Sequence, residues 1–153
     1  MDFSRLAIIR KKKDLSQRQV AKILDVSKST YARWETMEEI ITLQHLNKFC
    51  KYFKVTMDYV LSLTDENNYY LYYYIKPVNK AILGRNIQII RRKYKLTQQD
   101  LADILNTSQS TISAYENGKT MFLTVFAYTL ATKYNLSVDK ICSRVKNKDF
   151  IAL

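Results

Sequence analysis

Residues 97–120 read TQQDLADILNTSQSTISAYENGKT, and this stretch predicts two short helices joined by one tight turn. Thr97 is a good N-cap, and Asp100, three residues on, completes a weaker variant of the capping box. Asn106 stands where the chain must turn sharply, since asparagine tolerates the left-handed conformation better than most residues. Gly118 follows the second helix, which is the usual place for a helix C-terminal glycine.

Capping, apolar and polar residues occur here in the order of a helix-turn-helix unit. They are Leu96-Thr97-Gln98-Gln99, Leu101-Ala102, Leu105, Ser108-Gln109-Ser110-Thr111-Ile112 and Tyr115-Glu116-Asn117-Gly118-Lys119. On these residues the stretch resembles the phage repressor and Cro family, also called the XRE family. The match is specific because it joins capping, a small residue at the helix crossing and a polar start of the second helix. One departure is Asn106, where the family usually has glycine.

The same pattern occurs a second time, earlier in the chain, at one constant offset and without insertion. Leu15-Ser16-Gln17 aligns with Leu96-Thr97-Gln98, Ser29-Thr30 with Ser110-Thr111, and Trp34-Glu35 with Tyr115-Glu116. Periodic leucines alone would not keep the serine, threonine and glutamate positions in register, so the chain is predicted to be a tandem duplication. The resemblance then implies an all-α protein with two tandem five-helix lambda-repressor-like helix-turn-helix domains joined by a Tyr-rich linker.

The expected boundaries are 1–63 for the first domain, 64–79 for the linker, 80–145 for the second domain and 146–153 for a C-terminal tail. Five helices are predicted in each domain, including 4–13, 41–53, 80–93, 121–134 and 138–144. The tyrosine run of the linker, Tyr69 to Ile75, has three open interpretations: packing on its own domains, a strand that pairs with a second chain, or a platform that stacks on bases. The tail could dock on a domain or a partner, so a homodimer through linker or tail is possible.

The composition is that of a basic chain, with a net charge of +11, two glycines and one proline in 153 residues. Both halves are basic, at +5 for residues 1–63 and +7 for residues 80–153, which suits double-stranded DNA as the partner. A generic basic surface or an acidic membrane is the alternative. No stretch is long and apolar enough to span a bilayer, and lysines at 11–13 interrupt any signal-peptide region. The expected compartment is the cytoplasm.

Cysteine, histidine and carboxylate patterns argue against an enzyme. Cys50 and Cys142 lack CxxC spacing and are expected to be buried thiols in a reducing compartment. His45 is the one histidine and is expected at the surface. No nucleophile–base set, phosphate-binding glycine loop or metal cluster occurs in the sequence. We therefore predict no catalytic residue, no metal and no cofactor.

The resemblance implies that a recognition helix from each domain, at about 28–36 and 109–117, enters the major groove of DNA. The residues expected at base edges are Lys28, Ser29, Thr30 and Arg33 in the first domain, and Gln109, Ser110 and Thr111 in the second. Simple capping is the alternative for each serine and threonine. The residues expected at the DNA backbone are Gln17, Gln98, Arg10, Arg91, Asn117 and Lys119. Glu35 and Glu116 are expected instead to hold the motif together through internal hydrogen bonds.

The first copy departs from the family in the loop after its recognition helix, which reads Thr36-Met37-Glu38-Glu39. Two carboxylates near phosphate repel it, so this copy either binds DNA differently or binds it less well. We predict a sequence-specific transcriptional regulator, with repression as its expected mode. The alternative is a protein-binding, antitoxin-like module in which one copy no longer contacts DNA.

Overall fold

The computed structural model of the chain describes residues 1–69 and 77–144. Most of the tyrosine run and the C-terminal tail, residues 70–76 and 145–153, lie outside the described residues, and so do the interpretations that rest on them. The chain divides into two compact units, Met1–Tyr70 and Leu71–Leu153. All regular structure in the described ranges is helical, which confirms the predicted all-α fold.

Each unit contains five described helices in the same order. The first unit has α1 (Ser4–Lys11), α2 (Gln17–Leu24), α3 (Lys28–Glu35), α4 (Leu43–Phe53) and α5 (Met57–Val60). The second unit has α6 (Lys80–Lys93), α7 (Gln98–Ile104), α8 (Gln109–Glu116), α9 (Thr124–Tyr134) and α10 (Val138–Ile141). Four predicted helices are longer than the observed ones: α1 ends at Lys11, α4 begins at Leu43, α9 begins at Thr124, and α10 is a single turn.

Side-chain caps decide where most of these helices begin. Ser16 accepts a hydrogen bond from the Gln19 backbone N–H, and the Gln19 side chain accepts one in return from the Ser16 N–H. Thr97 and Asp100 form the equivalent capping box in the second unit. Thr42 caps α4, which is why this helix begins two residues later than the predicted 41–53. These caps occupy backbone donors that would otherwise lack partners.

The sharp turns between helices repeat at the same offset as the sequence pattern. Within the described ranges, positive φ angles occur at five positions in each unit. The pairs are Asp14 and Lys95, Asp25 and Asn106, Met37 and Gly118, Lys54 and Asn135, Ser62 and Ser143. Asn106 is the predicted turn position, Asp25 is its equivalent in the first unit, and Gly118 follows α8 as predicted. The backbone path of the first unit is therefore repeated in the second, even where the residue type differs.

Close helix crossings position the recognition helices α3 and α8. Ala21 and Ala102 are buried on α2 and α7, the helices that pack against α3 and α8, which agrees with the small residue expected at each crossing. Gly84 brings α6 even closer to α8, because a Cβ atom there would lie 2.1 Å from the Tyr115 carbonyl oxygen. The first unit has Phe3 at the equivalent position, fully buried just before α1 begins.

The single-residue expectations for the core have mixed outcomes. Cys50 and Cys142 are buried, as predicted. His45 was expected at the surface, but it is half-buried, and its ring centroid lies 5.1 Å from that of Trp34. The reason is this contact with the buried Trp34 ring of α3, which covers part of the imidazole. In the described part of the chain, no helix has the length and apolar character that crossing a membrane requires.

Candidate nucleic-acid interface

A cluster of an arginine, a glutamate and a glutamine ties each recognition helix to the two helices before it. In the first unit, Arg10 donates from Nε to Glu35 Oε1 (2.7 Å) and from Nη2 to Oε2 (3.0 Å), while Gln17 Nε2 donates to Oε2 (2.8 Å). Arg10 Nη1 also donates to the Leu15 carbonyl oxygen (2.9 Å). The internal role predicted for Glu35 is confirmed. We call this arrangement the Arg–Glu–Gln cluster.

The second unit repeats the Arg–Glu–Gln cluster with Arg91, Glu116 and Gln98. Arg91 donates to Glu116 at 2.5 and 3.0 Å, and Gln98 Nε2 donates to Glu116 Oε2 at 2.9 Å. Burial raises the pKa of Glu116, but the hydrogen bonds from Arg91 and Gln98 outweigh it, so its pKa is below the usual value. The carboxylate is therefore charged, and it fixes the angle of α8 against α6 and α7.

Arg10 and Arg91 have a role that differs from the expected contact with the DNA backbone. Their side chains are only 11% and 13% exposed. Both nitrogens of the Nε edge are engaged with a carboxylate, and Nη1 donates to a backbone carbonyl of the α1–α2 or α6–α7 turn. A guanidinium with these internal partners orients the motif, so we leave both arginines out of the proposed DNA contacts.

Gln109 begins α8, and its side chain is attached to the Arg–Glu–Gln cluster. Its Nε2 donates to Gln98 Oε1 at 2.6 Å, and Gln98 Nε2 in turn donates to Glu116. One N–H and the carbonyl oxygen of the exposed Gln109 amide face no partner among the described residues. A chain of hydrogen bonds from Arg91 through Glu116 and Gln98 thus holds Gln109 in one orientation.

The equivalent position in the first unit is Lys28, which is exposed and forms no ion pair with any described residue. Gln17 donates to Glu35, but it accepts no hydrogen bond from the first residue of the recognition helix, as Gln98 does from Gln109. Lysine is a point charge on a flexible stem, whereas a held glutamine amide has two directed groups. The two recognition helices thus begin with side chains of different chemistry.

The serine and threonine hydroxyl groups predicted at base edges take part in the caps of the recognition helices. Ser29 and Thr30 lie within 2.8 and 2.9 Å of the Ser27 hydroxyl oxygen. Ser110 and Thr111 lie within 2.9 and 2.8 Å of the Ser108 hydroxyl in the same way. The structure favours the capping alternative for these hydroxyls, although each retains hydrogen-bonding capacity.

The loops that follow the two recognition helices have opposite charge. Arg33 pairs with Glu39 at 3.1 Å, and the two side chains are 49% and 44% exposed. Thr36 donates from its hydroxyl to Glu38, so this loop is ordered around its acidic side chains. In the second unit the Asn117 side chain donates back to the Ser113 carbonyl oxygen at 2.8 Å. The Lys119 side chain is exposed and is not paired within the described ranges.

Two basic residues on α2 were not among the predicted contacts. Arg18 and Lys28 line two adjoining open grooves along α2 and the start of α3, and Lys22 lines one of them. The signal was present, since Arg18 and Lys22 are four residues apart and lie on the same helix face. The cap and core residues of α2 lie elsewhere on the helix and give no indication of this exposed basic face. No group of His, Cys, Asp and Glu able to hold a metal ion occurs among the described residues.

Comparison with known proteins adds two kinds of finding. A family model described as helix-turn-helix matches residues 6–60, and one described as a helix-turn-helix domain matches residues 84–146. The chain is 37% identical over 67 residues to the competence pilus inhibition repressor of Acinetobacter baylyi, covering 44% of this chain and 61% of that protein.

The chain is also 34% identical over 65 residues to antitoxin PezA of Streptococcus pneumoniae, covering 42% of this chain and 41% of that protein. It therefore spans less than two thirds of the length of either relative. No solved structure matches the chain.

Proposed function

Because the chain belongs to the helix-turn-helix family and carries two XRE-type DNA-binding domains in tandem, we propose that it is a sequence-specific regulator that binds duplex DNA and represses transcription. The repressor of Acinetobacter baylyi is similar to this chain over part of its length, which supports repression as the mode. A protein that acts on the genome of a bacterium or a phage works in the bacterial cytoplasm, which is the compartment we propose.

The observation that carries this proposal is the held side chain of Gln109. Its remaining N–H is suited to donate to adenine N7, and its carbonyl oxygen to accept from adenine N6. Because Gln98 already fixes the amide, less conformational entropy is lost when the base binds. A bidentate contact of this kind discriminates against a wrong base by about 1–3 kcal/mol.

In the first unit, Lys28 is the proposed base contact, with guanine O6 and N7 as its acceptors. Arg33 is a weaker candidate, since Glu39 already occupies it. Asn117 and Lys119 are proposed to contact the backbone, which positions α8 without specifying sequence. The two recognition helices differ, so we expect one chain to prefer two unlike half-sites rather than a palindrome.

A selection of bound duplexes from a random pool tests the proposal with the whole chain. We expect a motif whose adenine preference at one position weakens about 5- to 150-fold in Gln109→Ala, as the roughly 1–3 kcal/mol of a bidentate contact implies. Lys28→Ala should weaken a different position. Gln44→Ala, which removes an exposed glutamine from α4, is the matched control and should leave the motif unchanged. The absence of any motif at low salt would refute the proposal.

A protein-binding, antitoxin-like function is the second candidate. It is favoured by the similarity to antitoxin PezA over part of the chain and by the acidic loop at Glu38 and Glu39. Salt dependence separates the two functions. DNA binding weakens steeply with salt because bound counterions are released, whereas an apolar protein contact changes little. A homodimer through the linker or the tail remains a prediction, which sedimentation of the whole chain would test.

A further inference from the structure

The first unit concentrates unpaired positive charge at one end of its recognition helix. Arg18 and Lys28 line two adjoining grooves along α2 and the start of α3, and Lys22 lines the one at the α2–α3 turn. All three side chains are exposed, and none forms an ion pair with another residue in ranges 1–69 and 77–144. Asp25 is the one acidic residue that lines these grooves. The grooves therefore carry a net positive charge that the fold of the unit does not use.

The second unit lacks this charge at the equivalent positions. The constant offset between the units places Gln99, Asp103 and Gln109 where the first unit has Arg18, Lys22 and Lys28. Gln99 donates to Asp103 at 2.7 Å, and Gln109 donates to Gln98. Three positive charges in the first unit thus correspond to one negative charge in the second, a difference of four charges at the same place in the fold.

The opposite end of the recognition helix shows the reverse difference. The first unit has Glu38 and Glu39 in the loop after α3, and the second has Lys119 and Thr120 after α8. Arg33, the nearest basic residue of the first unit, is paired with Glu39. Positive charge is therefore available before the recognition helix in the first unit and after it in the second.

We infer that Arg18 and Lys22, in the groove that the proposed base contact Lys28 also borders, bind backbone phosphates of duplex DNA. The two units then contact the DNA backbone at opposite ends of their recognition helices. Phosphate is the fitting ligand because the groove is open, cationic and accessible along an edge, as a sugar–phosphate backbone requires. The inference rests on the proposed function, since it assigns a further contact to the same partner.

The test compares three variants of the whole chain on the highest-ranked duplex from the selection. Arg18→Gln with Lys22→Gln removes two charges from the groove, and Lys48→Gln with Lys51→Gln removes two charges from exposed positions of α4 as the matched control. Lys119→Gln removes the positive charge at the other end of α8. Binding is measured as a function of salt, and ethylation interference identifies the phosphates that each variant contacts. Thermal unfolding verifies that every variant is folded.

We expect the groove variant to reduce the slope of log affinity against log salt by about 1.8, or about 0.9 for each phosphate that is no longer neutralised. Interference at one set of phosphates should disappear in the groove variant and persist in Lys119→Gln, which should instead change a different set. A groove variant that matches the control in slope and in interference pattern overturns the inference and leaves the proposed function standing. If the wild-type chain shows no salt-dependent binding to any duplex, the proposed function fails and the inference fails with it.

Discussion

Replacing Gly84 by alanine places two physical effects in opposition within α6. Alanine is favoured over glycine inside a helix by about 1 kcal/mol. The added Cβ, however, would lie 2.1 Å from the Tyr115 carbonyl oxygen and 2.9 Å from that of Glu116, where ordinary contact begins at 3.4 Å. One of the two helices must therefore move away from the other. The atoms in the way are backbone, which cannot rotate aside as a side chain would.

The clash should outweigh the gain in helix propensity. Overpacking costs about 1–3 kcal/mol and occasionally more, and a contact with backbone belongs at the upper end. The expected net loss is about 2 kcal/mol, after subtraction of the helix-propensity gain. For a domain of this size it lowers Tm by about 8–16 °C. Because α8 rests against α6, the recognition helix should also tilt, and duplex affinity should fall with stability.

The assay is urea and thermal denaturation of the whole chain, followed by two signals. Circular dichroism at amide wavelengths reports both units, whereas fluorescence of Trp34, the one tryptophan in the sequence, reports the first. The loss of stability caused by Gly84→Ala should appear in the unfolding transition followed by circular dichroism. Arg85→Ala, the exposed neighbour in α6, is the control and should stay within about 0.5 kcal/mol of wild type. Stability of Gly84→Ala equal to or above that of wild type would refute the packing argument.

Three further predictions concern charge and backbone strain. Met37→Gly should raise the stability reported by Trp34 fluorescence by about 1 kcal/mol, because Met37 has φ 62° and is 42% exposed, so strain is relieved and little burial is lost. Burial raises the pKa of Glu116, but its hydrogen bonds lower the pKa by a larger amount, so the folded-state pKa is below 4.5. The stabilisation by Glu116 is therefore present above pH 4.5 and is lost as the pH falls through the folded-state pKa. Glu116→Gln should flatten this part of the acid dependence in urea titrations, and an unchanged profile would contradict the assignment. Glu39→Gln should free Arg33 at little cost, since an exposed pair contributes under about 1 kcal/mol, and should steepen the salt dependence of duplex binding by about 0.9. The same substitution at Glu66 is its control, and equal slopes for both variants would show that the pair does not restrain Arg33.

The helices and turns were predictable because their determinants are local. The Ser16 cap involves only residues up to Gln19, three positions along the chain. The left-handed φ of Asp25 is likewise a property of a single residue. The same local determinants recur at the constant offset in the second half. The errors are at helix ends, as with α9, where Leu123 occupies the N-cap without a side-chain hydrogen bond. No local residue there indicated the start.

The site was less predictable because its contacts join residues distant in sequence. Arg10 and Glu35 are 25 residues apart, and only the crossing of α1 with α3 brings them together. Glu35 was correctly assigned an internal role, but its arginine partner was expected at the DNA backbone. The pairing of Arg33 with Glu39 depends on the path of the loop between them, which residue type alone does not determine.

The five left-handed residues of each unit set the turns of the backbone, since the direction of the chain depends on their torsion angles rather than on their side chains. Met37 has the same left-handed conformation as Gly118, and Lys54 has the same left-handed conformation as Asn135. The backbone therefore follows the same course in both units even where the residue is not one that favours a positive φ. In the proposed regulator, the residues that contact bases can therefore change in one unit, and with them the DNA sequence that it binds, while the other unit keeps its own sequence preference.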